Sequence, residues 1–300
     1  MTADSNTAIV VRVSDGQSPR LSKEDIPIPH PAANQVLVKL SHIAQNPTDV
    51  QSFDANAFGD GAVLGCDFVG EVVELGSNIT RLAKGDIVAG LVWGGEIKGL
   101  GAYSRYCLAD ERISFKLPTS VSHAHASTIA LAPITAWLAL FPRDCLALDC
   151  SQGKGKSVLI WSGSTSVGLY AIQIASRCGF NVVTTCSPKH ADLVLSYGTF
   201  CTVRPGKANT GNVVKGTRVT DVLVWMAFLK DHSYGEFKWP ASKHDHELAA
   251  ELFERKPEWL ENGSLKPNRP KVIPGLDAVA DGFQEYKDGK ISAYKIVYEL

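Results

Sequence analysis

The feature that most restricts the fold is the stretch "SVLIWSGSTSVGLYAIQIASRCGFNVVTTC", residues 157–186. An apolar strand, a glycine-bearing turn, a helix and a second apolar strand follow one another in that order. This order is typical of a βαβ unit, the building block of a parallel sheet. The sequence therefore predicts an α/β fold with a doubly wound parallel sheet in this half of the chain.

The glycine turn is suited to the pyrophosphate of a dinucleotide. Glycine lets a phosphate approach the backbone closely, and the start of the helix offers free N–H groups and the positive end of the helix dipole. Glycine turns between a strand and a helix also occur for packing reasons, which is the competing interpretation. The predicted contacts are Gly163, Ser164, Thr165, Ser166, Val167 and Gly168.

The residues after the second strand indicate which dinucleotide would bind. Folds that bind NAD place an acidic residue here, about 20 positions after the glycines, to bond the ribose 2′-hydroxyl. This chain instead has "CSPKH", with Ser187 and Lys189 and no carboxylate. A hydroxyl and an ammonium suit a 2′-phosphate, so the predicted cofactor is NADPH. The alternative is an ordinary solvated turn.

The first half of the chain has a different texture. Short β-branched runs such as "AIVVRV" and "QVLVKLSHIA" alternate with Gly, Pro and Asn, which favours a small barrel-like or sandwich domain. Helical spacing then runs from His123 to Leu140. Further on, "DVLVWMAF" (221–228) reads as a strand and residues 243–262 as a helix broken at Pro257. The tail reads as strand, helix and strand.

Composition narrows the function classes. With a formal charge of −1 over 300 residues and no long run of either sign, nothing suggests a nucleic-acid or membrane-surface partner. The first residues lack the pattern of a secretory signal, and no apolar run reaches the ~20 residues of a membrane span, so a cytoplasmic location is expected. The seven cysteines are scattered and odd in number, which predicts reduced thiols rather than disulfides.

Several motifs in order carry a family likeness. The segments "GCDFVGEVVELG", "KGDIVAGLVWGG", "GAYSRYCLAD" and the glycine turn with its helix resemble the medium-chain dehydrogenase/reductase superfamily. Within it, the chain resembles the zinc-independent, ToxD-like reductases, which include the stand-alone trans-acting enoyl reductases that work with fungal polyketide synthases. The resemblance runs from about residue 8 to residue 197 and again from about residue 222 to the end.

The resemblance implies a GroES-like catalytic domain at residues 1–150, completed by residues 263–300, and a Rossmann NADP-binding domain at residues 151–262. It places Asn46, Pro47, Thr48 and Asp49 beside the nicotinamide, and Lys295 and Ile296 at the last cofactor contact. It gives the 2′-phosphate and adenosine contacts to Ser187, Pro188, Lys189 and His190. The helix implied to line the acyl pocket comprises Pro133, Ile134, Thr135, Ala136, Trp137, Leu138, Ala139 and Leu140.

A metal is not expected. Zinc-dependent relatives place a cysteine and a Gly-His-Glu motif where this chain has "QNPTD" and "GCDFVG", and Cys66 has no imidazole close by in the sequence. Without a Lewis acid, a hydride needs an acceptor that is already polarised. An α,β-unsaturated acyl thioester is such an acceptor, and the resemblance implies it as the substrate, free or carried by a polyketide synthase; a quinone or alkenal is the alternative. No general acid is evident, and a monomer or homodimer is expected.

The chain departs from the family pattern after the second strand. Relatives continue through further βα units, whereas residues 204–220 of this chain, "RPGKANTGNVVKGTRVT", read as loop. The expectation is a Rossmann domain truncated by about two βα units, on the order of 50 residues. A second hypothesis follows, in which the chain is a non-catalytic remnant that binds a synthase partner or nothing.

Overall fold

We describe the protein from a computed structural model, which covers residues 5–195, 222–234 and 237–300. The strands in these ranges are β1 (Asn6–Arg12), β2 (Arg20–Ile26), β3 (Gln35–Ala44), β4 (Asp67–Leu75), β5 (Ile87–Leu91), β6 (Tyr106–Asp110), β7 (Ser114–Lys116), β8 (Ser157–Ile160), β9 (Asn181–Thr184), β10 (His232–Tyr234), β11 (Phe237–Trp239), β12 (Pro270–Pro274) and β13 (Lys295–Glu299). The helices are α1 (Pro47–Asp54), α2 (His123–Ala126), α3 (Leu131–Leu140), α4 (Ser166–Arg177), α5 (Ala191–Leu195), α6 (Lys243–Glu261) and α7 (Val279–Lys287).

The chain divides into two compact units. Unit 1 comprises Met1–Leu131 and Pro267–Leu300, and unit 2 comprises Ala132–Lys266. This division assigns residues 132–150 to the second unit, whereas the sequence places the boundary at residue 150. None of the helices in the described ranges combines the length and the apolar character that crossing a membrane requires.

Unit 1 is built on a mixed sheet with the order β12-β13-β3-β4-β5-β7, and β6 also pairs with β3. The C-terminal strand β13 is antiparallel to β3 and parallel to β12. This pairing places the last residues of the chain beside the centre of the N-terminal sheet, as the resemblance implies for a domain completed by the C-terminal tail. The alternating apolar runs of the first half therefore do form the predicted β-rich domain.

The core of unit 1 gathers around buried aromatic side chains. Tyr103 lies with its ring centroid 5.8 Å from that of Tyr298 and 5.9 Å from that of Phe283. Gly65, at φ +90°, lets the chain pass close to Tyr103, because a Cβ on this glycine would lie 2.8 Å from the Tyr103 backbone nitrogen. A substitution at Gly65 would therefore displace the tyrosine and the groups that bond to it.

In unit 2 the predicted βαβ unit is confirmed. Strands β8 and β9 are parallel, with Leu159 opposite Val183, and α4 connects them. Val158, Ile160 and Val182 are buried, while Leu159, Trp161 and Val183 on the opposite face are 59, 60 and 49 % exposed. Within the described ranges, β8 and β9 pair only with each other. Unit 2 therefore contains a short parallel sheet with one exposed apolar face.

Two predictions for the second half were wrong. The apolar run "DVLVWMAF" forms a 3-10 turn at Val224–Ala227, whose Ala227 carbonyl oxygen lies 2.8 Å from the imidazole Nδ1 of His246 on α6. A short apolar run fits a strand and a buried helical turn equally well, and tertiary packing decided between them. Helix α6 also continues through Pro257, since Phe253 and Trp259 are buried on either side of it.

The prediction that all cysteines are reduced was also wrong. Cys150 and Cys178 form a disulfide with a Cα–Cα distance of 4.6 Å. Cys178 follows α4 and Cys150 lies in a 3-10 turn before β8, so packing of the helix on the strand brings them together. Cys66, Cys107, Cys145 and Cys186 are free thiols, and Cys201 lies outside the described residues.

Candidate functional site

The turn between β8 and α4 has the features of an anion-binding helix start. Thr165 is the N-cap of α4: its hydroxyl accepts a hydrogen bond from the Gly168 N–H at 3.1 Å and donates to the Ser162 carbonyl at 2.9 Å. The first N–H groups of a helix have no partner within the helix, and in α4 these are the N–H groups of Ser166 and Val167. The helix start therefore presents donors to a ligand.

Both glycines of the turn are required by close contacts. A Cβ on Gly168 would lie 2.6 Å from the Ser162 carbonyl oxygen, and one on Gly163 would lie 2.4 Å from the Thr184 hydroxyl oxygen. Ser162 itself adopts the left-handed conformation, with φ 66°. The turn therefore lies directly against the end of β9, in a conformation that leaves no room for side chains at its two glycines.

Backbone bonds attach the turn to the end of β9. The Gly163 N–H donates to the Thr185 carbonyl at 2.9 Å, and the Ser162 N–H donates to the Thr185 hydroxyl at 3.2 Å. The chain then enters a 3-10 turn at Pro188–His190, in which the His190 N–H donates to the Ser187 carbonyl at 2.9 Å. Ser187, Pro188 and Lys189 are exposed and His190 is half-buried, so a hydroxyl and an ammonium are accessible just after β9.

In unit 1 the predicted nicotinamide loop lies at the start of α1 and is tied down from inside. Asn46 is the N-cap, Pro47 is the first helical residue, and the Asp49 carboxylate accepts from the Asn46 N–H at 2.7 Å. The same carboxylate accepts from the Tyr103 hydroxyl at 2.9 Å and from the Cys66 thiol at 3.3 Å. Asp49 therefore fixes the loop by three bonds.

Burial dominates the acid–base properties of this cluster. Removal from solvent raises the pKa of Asp49 to about 6 in spite of its three hydrogen bonds. It also raises the pKa of the Cys66 thiol and that of the Tyr103 hydroxyl well above their ordinary values. Cys66 is therefore a protonated donor within the core and not a thiolate.

A second buried carboxylate lies beside this loop. Asp67 accepts from the Asn46 side-chain amide at 3.1 Å and from the Leu131 N–H at 2.6 Å, and its Oδ2 receives the Lys295 ammonium. Sequence reasoning missed this pair. Its only signals were a carboxylate in the apolar run "GCDFVG" and a lysine opening the apolar strand "KIVYE".

The remaining predicted contacts are buried side chains. Lys295 is 3 % exposed and Ile296 is buried beside it on β13. Along the predicted acyl helix, Pro133–Leu140, every residue except Thr135 is buried. Trp137 lies with its ring centroid 4.4 Å from that of Phe141 and 6.0 Å from that of Trp259, so it belongs to the aromatic core of unit 2. The roles predicted for these residues remain predictions.

The residues fit the predicted dinucleotide. The two glycines let the turn pack closely against Ser162 and Thr184, the start of α4 directs its first N–H groups out of the helix, and an exposed hydroxyl and ammonium follow β9. Searched over residues 5–195, 222–234 and 237–300, the side chains of His, Cys, Asp and Glu form no group of three arranged to hold a metal ion.

Comparison with known proteins finds the GroES-like domain that the first half of the sequence resembles. Residues 32–119 match the family model of the alcohol dehydrogenase GroES-like domain. The chain is 37 % identical to a trans-enoyl reductase of a Penicillium species over 178 residues, which is 58 % of this chain and half the length of that relative. It is 30 % identical to a dehydrogenase of Aspergillus niger over 339 positions, which cover 95 % of this chain and 97 % of that relative.

Among solved structures, an alcohol dehydrogenase superfamily protein of Novosphingobium aromaticivorans is similar, with a TM-score of 0.77 at 21 % identity over 98 % of this chain and 99 % of that one. At this identity the likeness shows the fold alone. The Aspergillus niger alignment is longer than the 300 residues of this chain, so part of that relative has no counterpart here. The predicted absence of two βα units remains a prediction, and the segment on which it rests, residues 204–220, lies outside the described residues.

Proposed function

The chain belongs to the medium-chain dehydrogenase/reductase superfamily, in the subgroup of trans-acting enoyl reductases, and from this premise we propose that it reduces α,β-unsaturated acyl thioesters with NADPH. The chain is an oxidoreductase by family. The identity of the dinucleotide, the contacts that hold it and the acyl substrate are the proposed part.

One observation carries the proposal. The turn from Ser162 to Gly168 ends a parallel strand and opens a helix, and its two glycines are confined so closely that no Cβ would fit. In the proposal, Thr165 holds the turn in shape while the free N–H groups of the helix start bind the pyrophosphate. The helix dipole adds a favourable interaction with that negative charge.

The preference for NADPH rests on the residues after β9. Ser187 and Lys189 are exposed there, and no carboxylate stands among residues 186–190 to repel a 2′-phosphate. The Lys189 ammonium would pair with the phosphate, whereas NADH offers it only a neutral hydroxyl. We therefore assign nucleotide selectivity chiefly to Lys189.

The proposed role of unit 1 in the reaction is to position the nicotinamide. When bound, NADPH would supply a hydride to the β-carbon of an unsaturated thioester, where conjugation spreads the developing charge as an enolate, and solvent would supply the proton to the α-carbon. Asn46, Pro47, Thr48 and Asp49 would form a rigid wall for the nicotinamide, since the Asp49 carboxylate ties the first turn of α1 to Tyr103 and Cys66. The buried Cys66 thiol acts in this scheme as a structural donor.

The substrate side of the proposal rests on relatives and on sequence. A trans-enoyl reductase is among the similar proteins, so we propose an acyl thioester as a small molecule or on a carrier, with a polyketide synthase as the partner. The residues Pro133–Leu140 remain the proposed lining of the acyl site. A cytoplasmic location belongs to the same proposal.

The experiment is NADPH oxidation by the purified chain, followed by nicotinamide absorbance, with a trans-2-enoyl thioester, a quinone and an alkenal offered separately. The proposal expects turnover with the thioester. Turnover confined to the quinone or the alkenal would replace the substrate class, and a folded chain that oxidises NADPH with none of the three would favour the non-catalytic remnant.

A matched pair of variants tests the nucleotide preference. Lys189→Met is expected to lower the NADPH-over-NADH selectivity by at least about tenfold, the effect of losing one charge-assisted contact. Lys154→Met, an exposed lysine elsewhere in unit 2, serves as the control and should leave selectivity unchanged. Equal selectivity in both variants would remove Lys189 from the proposed site.

A further inference from the structure

We propose that Lys295 is a positioning residue that orients Asn46 through the carboxylate of Asp67 and does not itself touch the cofactor. This inference rests on the proposed function, because Asn46 opens the loop assigned to the nicotinamide. It differs from the sequence prediction, in which Lys295 is a direct cofactor contact.

The geometry of Asp67 is the starting point. Its side chain is fully buried, and its two oxygens divide their donors: Oδ1 accepts from the Leu131 N–H at 2.6 Å, while Oδ2 receives both the Lys295 ammonium and the Asn46 side-chain amide, the latter at 3.1 Å. The ammonium and the amide therefore meet at one oxygen. A shift of the ammonium would move the acceptor that holds Asn46.

Lys295 is well placed to fix this acceptor. It is the first residue of β13, its backbone N–H donates to the Arg269 carbonyl at 2.9 Å, and its side chain is 3 % exposed. The ammonium is thus directed into the interior of unit 1 and engaged by Asp67. With its side chain almost wholly buried, the ammonium presents little surface to a ligand such as NADPH, and leaving Asp67 to reach one would strand a buried carboxylate, which is strongly unfavourable.

The Asn46 side chain has two other contacts besides Asp67. It accepts from the Asp49 N–H in the capping box of α1, and its amide nitrogen donates to the Ala44 carbonyl at 3.3 Å. The bond to Asp67, at 3.1 Å, is the shorter of the two that the amide nitrogen makes, so a displaced Asp67 would change where this amide points. The position of Asn46 therefore depends on Asp67, and that of Asp67 on Lys295. The lysine and the aspartate are 228 positions apart in the sequence.

The test compares Lys295→Met with Lys271→Met, a half-exposed lysine on the neighbouring strand β12 whose ion pair with Glu285 lies at the surface. In single-turnover reduction of a trans-2-enoyl thioester, Lys295→Met should slow the reaction at saturating NADPH by at least about tenfold. Its NADPH dissociation constant should stay within about threefold of the unsubstituted chain, since the phosphates bind elsewhere. Lys271→Met should change neither quantity.

A double variant separates position from stability. Lys295→Met leaves Asp67 without its cation and is expected to lower the unfolding temperature, so Asp67→Asn/Lys295→Met removes both charges together. The proposal expects the unfolding temperature to recover and the rate to stay low. If Lys295→Met fails to fold, this double variant decides alone. Recovery of the rate together with the unfolding temperature would show that Lys295 only neutralises Asp67, which overturns the proposal.

Two further readouts complete the test. Asn46→Ala/Lys295→Met should react no more slowly than Asn46→Ala, because in the proposal Lys295 affects the rate only through Asn46. Additive losses of rate would contradict the proposal. In the absence of nucleotide, hydrogen exchange of the peptide covering residues 45–54 should rise in Lys295→Met and not in Lys271→Met. This measurement decides the positioning role even if the unsubstituted chain binds no NADPH, an outcome that would refute the proposed function alone. A large rise in the NADPH dissociation constant with an unchanged rate would instead make Lys295 a direct contact.

Discussion

The sheet of unit 1 holds a network of buried carboxylates with their donors, whereas the parallel sheet of unit 2 leaves apolar side chains exposed. In unit 1, Asp67 and Lys295 are paired in the interior and Asp49 collects three donors. On the β8–β9 sheet of unit 2, Leu159 and Val183 face outward side by side.

The difference shows which interactions fix the structure of each unit. A buried carboxylate is tolerated only when its donors are in place, so the polar interior of unit 1 specifies one arrangement of the loop at Asn46. The short sheet of unit 2 has fewer neighbours among the described residues. It is held by local devices, which are the disulfide between Cys150 and Cys178, the cap at Thr165 and the two confined glycines.

The largest expected effect comes from the disulfide. Cys150 and Cys178 enclose β8, the glycine turn and α4 in a loop of 28 residues. Its closure should stabilise unit 2 by about 3.5 kcal/mol in the chain-entropy account. We expect Cys150→Ser/Cys178→Ser to lose this amount in urea unfolding followed by tryptophan fluorescence. Cys186→Ser, a free and partly exposed thiol, is the control. Equal stability of the double variant and the control would show that the disulfide does not support the sheet.

The next largest effect is expected at the turn itself. Gly168→Val places a side chain where a Cβ already lies 2.6 Å from the Ser162 carbonyl oxygen. The turn must open, so NADPH affinity should fall about 100-fold, equivalent to about 2.7 kcal/mol. Titration of nucleotide fluorescence measures this, with Ser176→Val at the exposed end of α4 as the control. Unchanged affinity in Gly168→Val would separate the turn from nucleotide binding.

In unit 1 the corresponding probe is pH. The folded pKa of Asp49, about 6, lies above its ordinary value of 3.8, so its protonated form is favoured on folding. This contribution to stability is fully present below about pH 4 and is lost as the pH rises through 6. Asp49→Asn lacks the titration, and its stability relative to the unsubstituted chain should rise by about 2 kcal/mol between about pH 4.5 and 7. Hydrogen exchange of unit 1 peptides gives the measurement, and parallel pH profiles of the two proteins would contradict it.

The smallest effect is expected on the exposed face of the unit 2 sheet. Leu159→Thr should change the free energy of unfolding by no more than about 0.5 kcal/mol, because the side chain is already mostly in solvent. Ile160→Thr, one position along the same strand and fully buried, should cost at least about 2 kcal/mol. Similar losses in the two variants would mean that Leu159 is covered in solution.

Local patterns in the sequence predicted much of the fold. The strand, turn, helix and strand at residues 157–186 follow from short-range periodicity, and the β-rich first half follows from alternation. The run at Val224–Ala227 was predicted wrongly because its length and apolar character fit two conformations. Helix α6 passes through Pro257 because packing of its flanking residues outweighs the lost hydrogen bond.

The candidate site divides in the same way. The glycine turn and the residues after β9 are contiguous motifs, so sequence reasoning could name them. The pairing of Asp67 with Lys295 and the disulfide of Cys150 with Cys178 join residues 228 and 28 positions apart. Such partners are chosen by the register of β13 beside β3 and by the docking of α4 on β8, which no local pattern specifies.

The most direct test of the central claim is a titration of the purified chain with NADPH and with NADH, followed by nucleotide fluorescence. The account predicts saturable binding that favours NADPH. The turn from Ser162 to Gly168 offers the N–H donors of a helix start, and Ser187 and Lys189 are exposed where a 2′-phosphate would bind. Binding that favours NADH would contradict the assignment of Lys189. A folded chain that binds neither nucleotide would contradict the claim that this turn is a working dinucleotide site.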